Sequence, residues 1–242
     1  MILSYNIKII VMPYLKFISD QDLCSSVAKV VEVIEKAQRD ADKTLHSNVL
    51  DPFSAFFHGV THATPYEEWI EEEKIRQAQK SMQNAIGKFH QNILGAVPGW
   101  INLGTGKGLD IINKKRKIIA EVKNKHNTTK GNHLVKVYDD IKASVKKNPG
   151  YTGYYVGIIP KGKKKYNTEF TPSEKGKRRP KNNNIRIIDG MSFYELVTTR
   201  KNALQELFEV LPKVIKDKHG YKLDKKEEKK YFKLFGIAFS TE

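Results

Sequence analysis

Asp110, Glu121 and Lys123 are the residues whose types and spacing best suit a reaction. Glu121 and Lys123 stand two apart in Lys117-Ile-Ile-Ala-Glu-Val-Lys123, a run rich in β-branched residues. The two-residue period of a strand puts them on one face with Ile119, while Ile118, Ala120 and Val122 point the other way. Asp110 belongs to a second short apolar run, Leu109-Asp-Ile-Ile112, and the polar turn Asn113 to Arg116 joins the two runs as a β-hairpin. Two carboxylates and an ammonium at the polar end of a strand buried on both sides cost desolvation energy, which a ligand or metal offsets. The residue types fit one chemistry. Hard carboxylate oxygens hold Mg²⁺ against a substrate phosphate, the ion acidifies a water and polarises phosphorus, and an ammonium orients that water and stabilises developing charge. The reaction is in-line hydrolysis of a phosphodiester. Asp-x10-Glu-x-Lys alone is a weak pattern, equally met by salt bridges at the end of a surface strand.

Several elements must position this set. Residues 19–46 start with the capping residues Ser19 and Asp20 and carry Leu23, Val27, Val30, Val31, Ile34 and Ala37 at helical spacing. Asp51-Pro52 ends that pattern, and Phe53, Phe56 and Phe57 follow as an aromatic cluster expected in the core. Tyr66 to Leu94 reads as a long helix of about 43 Å with a bend or break at Gly87. Gln83, Asn84, His90 and Gln91 lie beside its apolar stripe. Gly104 to Gly108 imitates a phosphate loop but fails both the Walker and the dinucleotide spacing, so it reads as a plain loop. Further on, the patterns give a helix at Tyr138 to Lys147, strands at Tyr151 to Pro160 and Ile185 to Ile188, and a helix at Ser192 to Ile215. Phe232, Phe235 and Phe239 can pin the charged C-terminal segment, 216–242.

The 242 residues read as a single domain, 1–242, with 39% hydrophobic and 29% charged residues, which excludes wholesale disorder and collagen-like repeats. Met1 to Val11 is too short and too interrupted for a membrane span and has no cleavage site, and it reads as an edge strand or an N-terminal extension. One cysteine, Cys24, forms no internal disulfide and reads as a small core residue, which fits a reducing, cytoplasmic setting. Forty-three Lys and Arg against 27 Asp and Glu leave a net charge of +16, so a polyanion is the expected partner, nucleic acid before membrane. Lys161 to Arg186 holds ten of those basic residues and two Glu; with Pro172, Pro180 and Asn182 to Asn184 it reads as a basic loop that orders on something anionic. The bland alternative is a solvated linker.

Around the acidic pair a resemblance is plain. Asp110 with Glu121-Val-Lys123 resembles the PD-(D/E)XK nuclease superfamily, with Leu109 where that pattern has Pro. Asn48-Val-Leu-Asp-Pro-Phe-Ser54, Gln83-Asn-Ala-Ile-Gly-Lys-Phe-His-Gln-Asn-Ile-Leu-Gly95, Pro98-Gly-Trp100, Ala120-Glu-Val-Lys-Asn-Lys-His-Asn-Thr128 and Ile188-Asp-Gly-Met-Ser-Phe-Tyr194 are similar to one family of type II restriction endonucleases, those cutting at GGNCC. The resemblance runs from about Met12 to near Ile215. It implies Asp110 and Glu121 as ligands of Mg²⁺ and Lys123 as the catalytic lysine. It places Gln91 where relatives often carry a supporting Glu; being neutral, Gln91 suits hydrogen bonding to a coordinated water, or a partly buried bond to backbone.

Asn124, Lys125, His126, Asn127 and Thr128 follow the catalytic strand with groups suited to phosphate or base contacts, and DNA positioning is preferred to a general-base role for His126. The expected fold is α/β or α+β, a mixed central sheet flanked by helices. The expected activity is sequence-specific, Mg²⁺-dependent cleavage of double-stranded DNA by a homodimer, whose two-fold axis matches a palindromic site. Lys163, Lys164 and Lys165 are candidate DNA contacts, and Arg178, Arg179 and Arg186 are candidate guanine readers. The rival readings are a DNA-binding protein without nuclease activity and a monomeric repair or nicking nuclease.

Overall fold

The computed structural model describes residues 12–104, 108–126 and 131–239. Its strands are β1 (Ile101–Asn102), β2 (Ile111–Asn113), β3 (Ile118–Lys125), β4 (Thr152–Ile159), β5 (Asn167–Glu169), β6 (Ser173–Glu174), β7 (Lys177–Arg178) and β8 (Ile185–Asp189). Its helices are α1 (Asp20–Arg39), α2 (Ala41–Thr44), α3 (Pro52–His62), α4 (Tyr66–Ala96), α5 (Gly131–Lys147), α6 (Gly190–Thr198), α7 (Ala203–His219) and α8 (Lys225–Phe239). Six strands form one sheet in the order β1-β2-β3-β4-β8-β5, and β6 pairs only with β7. The central strands β3, β4 and β8 are parallel, while β1, β2 and β5 join antiparallel. This is the mixed sheet flanked by helices that the sequence implies.

The alternation along β3 decides which layer each residue joins. Ile118, Ala120 and Val122 enter a core with Leu23 and Val27 of α1, Phe89 and Ile93 of α4, and Phe193, Leu207 and Phe235 of α6, α7 and α8. Ile119 faces the other way, into a smaller core with Tyr138 and Ile141 of α5, Tyr155 and Phe170. Helices therefore cover both faces, and Glu121 and Lys123 project on the α5 side near the C-terminal end of the parallel strands. Cys24 packs half-buried against the larger core, as expected.

Several elements depart from expectation: the 19–46 helix ends at Arg39, where Asp40 caps α1, and only the four-residue α2 follows it. Helix α4 runs 31 residues through Gly87 without a break, because a lone interior glycine costs only about 1 kcal/mol and the helix is held by its apolar stripe. The 192–215 segment is two helices, not one: Thr199 takes a left-handed φ of 60° and closes α6, and the Arg200–Glu206 ion pair at 2.9 Å ties the turn to α7. Phe53, Phe56 and Phe57 are not core residues; they are 76%, 72% and 67% exposed. Residues 161–186 are not a free loop. Asn167–Glu169 adds an edge strand to β8, and Phe170, buried and stacked on Tyr155 at 5.0 Å, anchors the charged run to the sheet. Residues 1–11, with the proposed extension, lie outside the described residues. The C-terminal segment is pinned as expected: Phe208 stacks on Phe235 at 4.7 Å and meets Phe232 edge-on.

Beside the sheet, His90 of α4 is buried with Nδ1 2.8 Å from the Tyr194 hydroxyl. Burial lowers its pKa from 6.5 to about 4. The unfolded chain thus binds a proton that the folded chain refuses, so stability is intact above pH 6.5 and is lost as the pH falls toward 4. The full swing is roughly 3 kcal/mol. In urea melts, the fall in stability between pH 6.5 and 4.5 is expected to be shallower for His90→Gln than for wild type, and equal slopes would show that His90 titrates normally.

Candidate active site

Asp110 sits immediately before β2, held at both backbone ends: its N–H donates to the Ala120 carbonyl at 3.0 Å, and its carbonyl accepts from Leu103 N–H at 2.7 Å. Leu109, 3% exposed in the smaller core, fixes the approach. Pairing of β2 with β3 ends at Ile111 opposite Ala120, so the next inward-facing polar groups of β3, those of Val122, have no strand beside them. Side chains take that place. Asp110 Oδ2 accepts from Val122 N–H at 2.7 Å, and Gln91 Nε2, late in α4, reaches the Val122 carbonyl at 3.4 Å. Satisfying these groups at a ladder's end fixes the Asp110 carboxylate beside Glu121.

Glu121 and Lys123 form an ion pair, Nζ to Oε1 2.6 Å, with side chains 14% and 31% exposed. Burial pushes the Asp110 carboxyl above its usual range despite the Val122 N–H and the Lys123 charge. Glu121 is raised in the same direction, first by burial and then by the neighbouring Asp110 carboxylate, with Lys123 opposing. For Lys123 burial favours the neutral amine, but the Glu121 hydrogen bond and both carboxylates outweigh it and its pKa ends above normal. Two crowded carboxylates share one ammonium, and the half-buried site keeps an unbalanced negative charge that favours a cation.

Asp110 and Glu121 are two hard oxygen donors, and a divalent cation such as Mg²⁺ is commonly held by one or two carboxylates plus waters and a substrate phosphate. The sequence-derived residues Asp110, Glu121, Lys123 and Gln91 are thus brought together. Asn124 and Lys125 end β3, and His126, whose N–H donates to the Ile159 carbonyl at 3.2 Å, turns the chain away from the same place. Asn127 and Thr128 lie outside the described residues.

The basic candidates are dispersed. Exposed Lys163, Lys164 and Lys165 follow β4 at the end of the sheet that carries Lys123, with Lys165 3.8 Å from Glu195. Arg178 is exposed on the β6–β7 hairpin, Arg179 is held bidentately by Asp139 of α5 at 2.6 and 3.0 Å, and Arg186 bonds to Asn167 at 2.7 Å. Two residues at the site escaped sequence reasoning. Gly157 pairs with Lys123 across the parallel ladder, and a Cβ there would lie 3.3 Å from both the Tyr166 hydroxyl and the His126 Cβ. Tyr166, its pKa raised to about 12 chiefly by burial, closes this corner. Nothing in the spacing of residues 123, 157 and 166 signals their meeting, because the parallel β3–β4 register brings Gly157 to Lys123 and the backbone bonds of Tyr166 to Asp189 bring in the tyrosine.

The Eco47II restriction endonuclease family matches residues 15–219, a span that includes every element of this site. The chain belongs to that family. The type II restriction enzyme Eco47II of Escherichia coli is 43% identical over 241 residues, covering 94% of this chain and 100% of that protein. The type II restriction enzyme Sau96I of Staphylococcus aureus is 30% identical over 211 residues, 84% of this chain and 80% of that one. No solved structure matches. Membership in the Eco47II restriction endonuclease family makes this chain a site-specific deoxyribonuclease of the type II restriction class. No helix among the described residues is long and apolar enough to cross a membrane.

Proposed function

We propose that Asp110, Glu121 and Lys123 are the catalytic set with which this restriction endonuclease cuts double-stranded DNA, as a Mg²⁺-dependent homodimer acting on a GGNCC-type palindrome. The observation that carries the reading is the pair of half-buried carboxylates, both with raised pKa, balanced by a single ammonium in a chain of net charge +16. An acidic pocket on a basic, DNA-seeking surface calls for a divalent ion. Asp110 and Glu121 would hold it, and when bound it supplies a Lewis acid that polarises the phosphate and acidifies water.

The chain's own residues do the rest. The Val122 N–H and Gln91 fix the Asp110 carboxylate and the strand beside it. Lys123 keeps Glu121 charged and offers its ammonium to charge developing on the phosphate. Asn124, Lys125 and His126, with Asn127 and Thr128, are phosphate or base contacts at the strand's end. One active site per subunit, related by a two-fold axis, cuts both strands of a palindrome. Digestion of plasmid DNA with Mg²⁺ is expected to give discrete fragments whose ends map to GGNCC-type sites. Nicks alone would favour a monomeric nuclease, and intact plasmid a non-catalytic binder.

The exposed charges Lys163, Lys164, Lys165 and Arg178 are assigned to the DNA backbone; Arg179 is left aside because it serves Asp139. Changing those four to Gln is expected to weaken cognate and scrambled duplexes together. The slope of log affinity against log salt should flatten by up to about 0.9 per lost phosphate contact. An unchanged slope would put the binding surface elsewhere. Selective loss of cognate binding would instead make Arg178 a base reader.

A further inference from the structure

Helix α3 is turned inside out. Asp51 caps it by accepting from Phe53 N–H and Ser54 N–H, Pro52 opens it, and Ala63, at φ 51°, ends it. Over this helix no residue is buried. Phe53, Phe56, Phe57 and Val60 fall at i, i+3, i+4 and i+7, one stripe of the helix, and are 76%, 72%, 67% and 67% exposed. The opposite side is small and polar and is the one turned to α4: His58 Nε2 lies 3.0 Å from Glu72, and Gly59 lets the chain return closely at Thr64. An amphipathic helix ordinarily buries its apolar stripe against its own core, whereas this one presents it to the surroundings.

The surface does not suit DNA. Residues 51–73 carry six carboxylates and no Lys or Arg, in a chain that is otherwise strongly basic. Glu67, Glu68, Glu71 and Glu72 are exposed on the first turns of α4 and would repel phosphates. It does suit another protein surface. At 150–250 Å² per aromatic side chain, the three rings alone offer on the order of 400 Å² of apolar area, the size of the largest patch on a typical monomer. Val60, 67% exposed on the same stripe, adds to it, and each partner of a standard interface gives ~800 Å².

We propose that the Phe53, Phe56, Phe57 and Val60 stripe of α3 is the dimerisation surface of this endonuclease, packed across a two-fold axis on the same stripe of a second copy. This rests on the homodimer reading above. A second copy is the favoured occupant because no side chain of α3 carries a formal charge other than through its histidines, which lie on the other side. Pairing two stripes therefore desolvates no carboxylate, Lys or Arg of α3. Four apolar side chains at this spacing form the ridge that a facing helix needs for close packing.

The test is sedimentation of the full chain. Wild type is expected to run as a dimer at micromolar concentration, and Phe56→Glu/Phe57→Glu as a monomer with unchanged far-UV circular dichroism, since both positions are exposed in the protomer. A wild-type monomer, free and on DNA, or a doubly substituted chain that stays dimeric, would overturn the surface. Should the glutamates disturb folding, Phe57→Cys in a Cys24→Ser background keeps the question open to measurement. A short bis-maleimide is then expected to give a covalent dimer, and its absence counts against the proposal. Failure of the nuclease reading shows differently: wild type that leaves plasmid intact in Mg²⁺ whatever its sedimentation.

Discussion

Asp110→Ala and Glu121→Ala are each expected to abolish cleavage while leaving DNA binding in Ca²⁺ largely intact. The two carboxylates are crowded, half-buried and raised in pKa, so their charge is costly to hold, as expected of ligands to an ion on the reacting phosphate rather than of base contacts. Removing either leaves one carboxylate and one ammonium, a neutral pair with little pull on a divalent cation. The remaining structure tolerates the loss differently at the two positions. Glu121 is bonded to the Lys123 side chain, whereas Asp110 also satisfies Val122 N–H, so Asp110→Asn is the gentler companion variant. Cleavage at wild-type rate by either alanine variant, with binding by gel shift unchanged, would remove the metal-ligand assignment.

Lys123→Ala is expected to lower the cleavage rate by about 10²-fold or more under single-turnover conditions, the scale of losing one placed electrostatic stabiliser. The substitution has two consequences at once. It withdraws the ammonium from the phosphate, and it leaves Glu121 beside Asp110 with no counter-charge, which pushes the Glu121 pKa still higher. Activity lost by the first route does not return at raised pH, while part of that lost by the second does. A loss well under tenfold at every pH would make Lys123 an ordinary phosphate contact.

The site was legible in sequence because a strand's two-residue period is local. Ile118 to Lys123 alternate between two cores as the β-branched run implies, and the hairpin that returns Asp110 to Ala120 spans a short turn. The helix periodicity puts Gln91 beside an apolar stripe, but its place at the site comes only with the resemblance, since its reach to Val122 joins residues 31 apart in sequence. Gly157 and Tyr166 carry no sequence signal because parallel pairing across α5 and the bonds of Tyr166 to Asp189 are long-range events. The basic stretch misled for another reason: ten positive charges signal solvent, yet Tyr166, Phe170 and Pro172 among them are enough to lay an edge strand on β8. The aromatic cluster of α3 misled in the opposite sense, because hydrophobic periodicity tells which residues share a face and not whether that face meets its own core.

Asp110 and Glu121, on the reading proposed above, hold a divalent ion where DNA is cut. Electron paramagnetic resonance of Mn²⁺ added to the enzyme on cognate duplex tests it most directly. Tightly bound Mn²⁺ is expected in the wild-type complex, displaced by excess Mg²⁺ and lost in Asp110→Asn. Equal Mn²⁺ binding by wild type and Asp110→Asn, or cleavage of cognate DNA by wild type in excess EDTA, would contradict it.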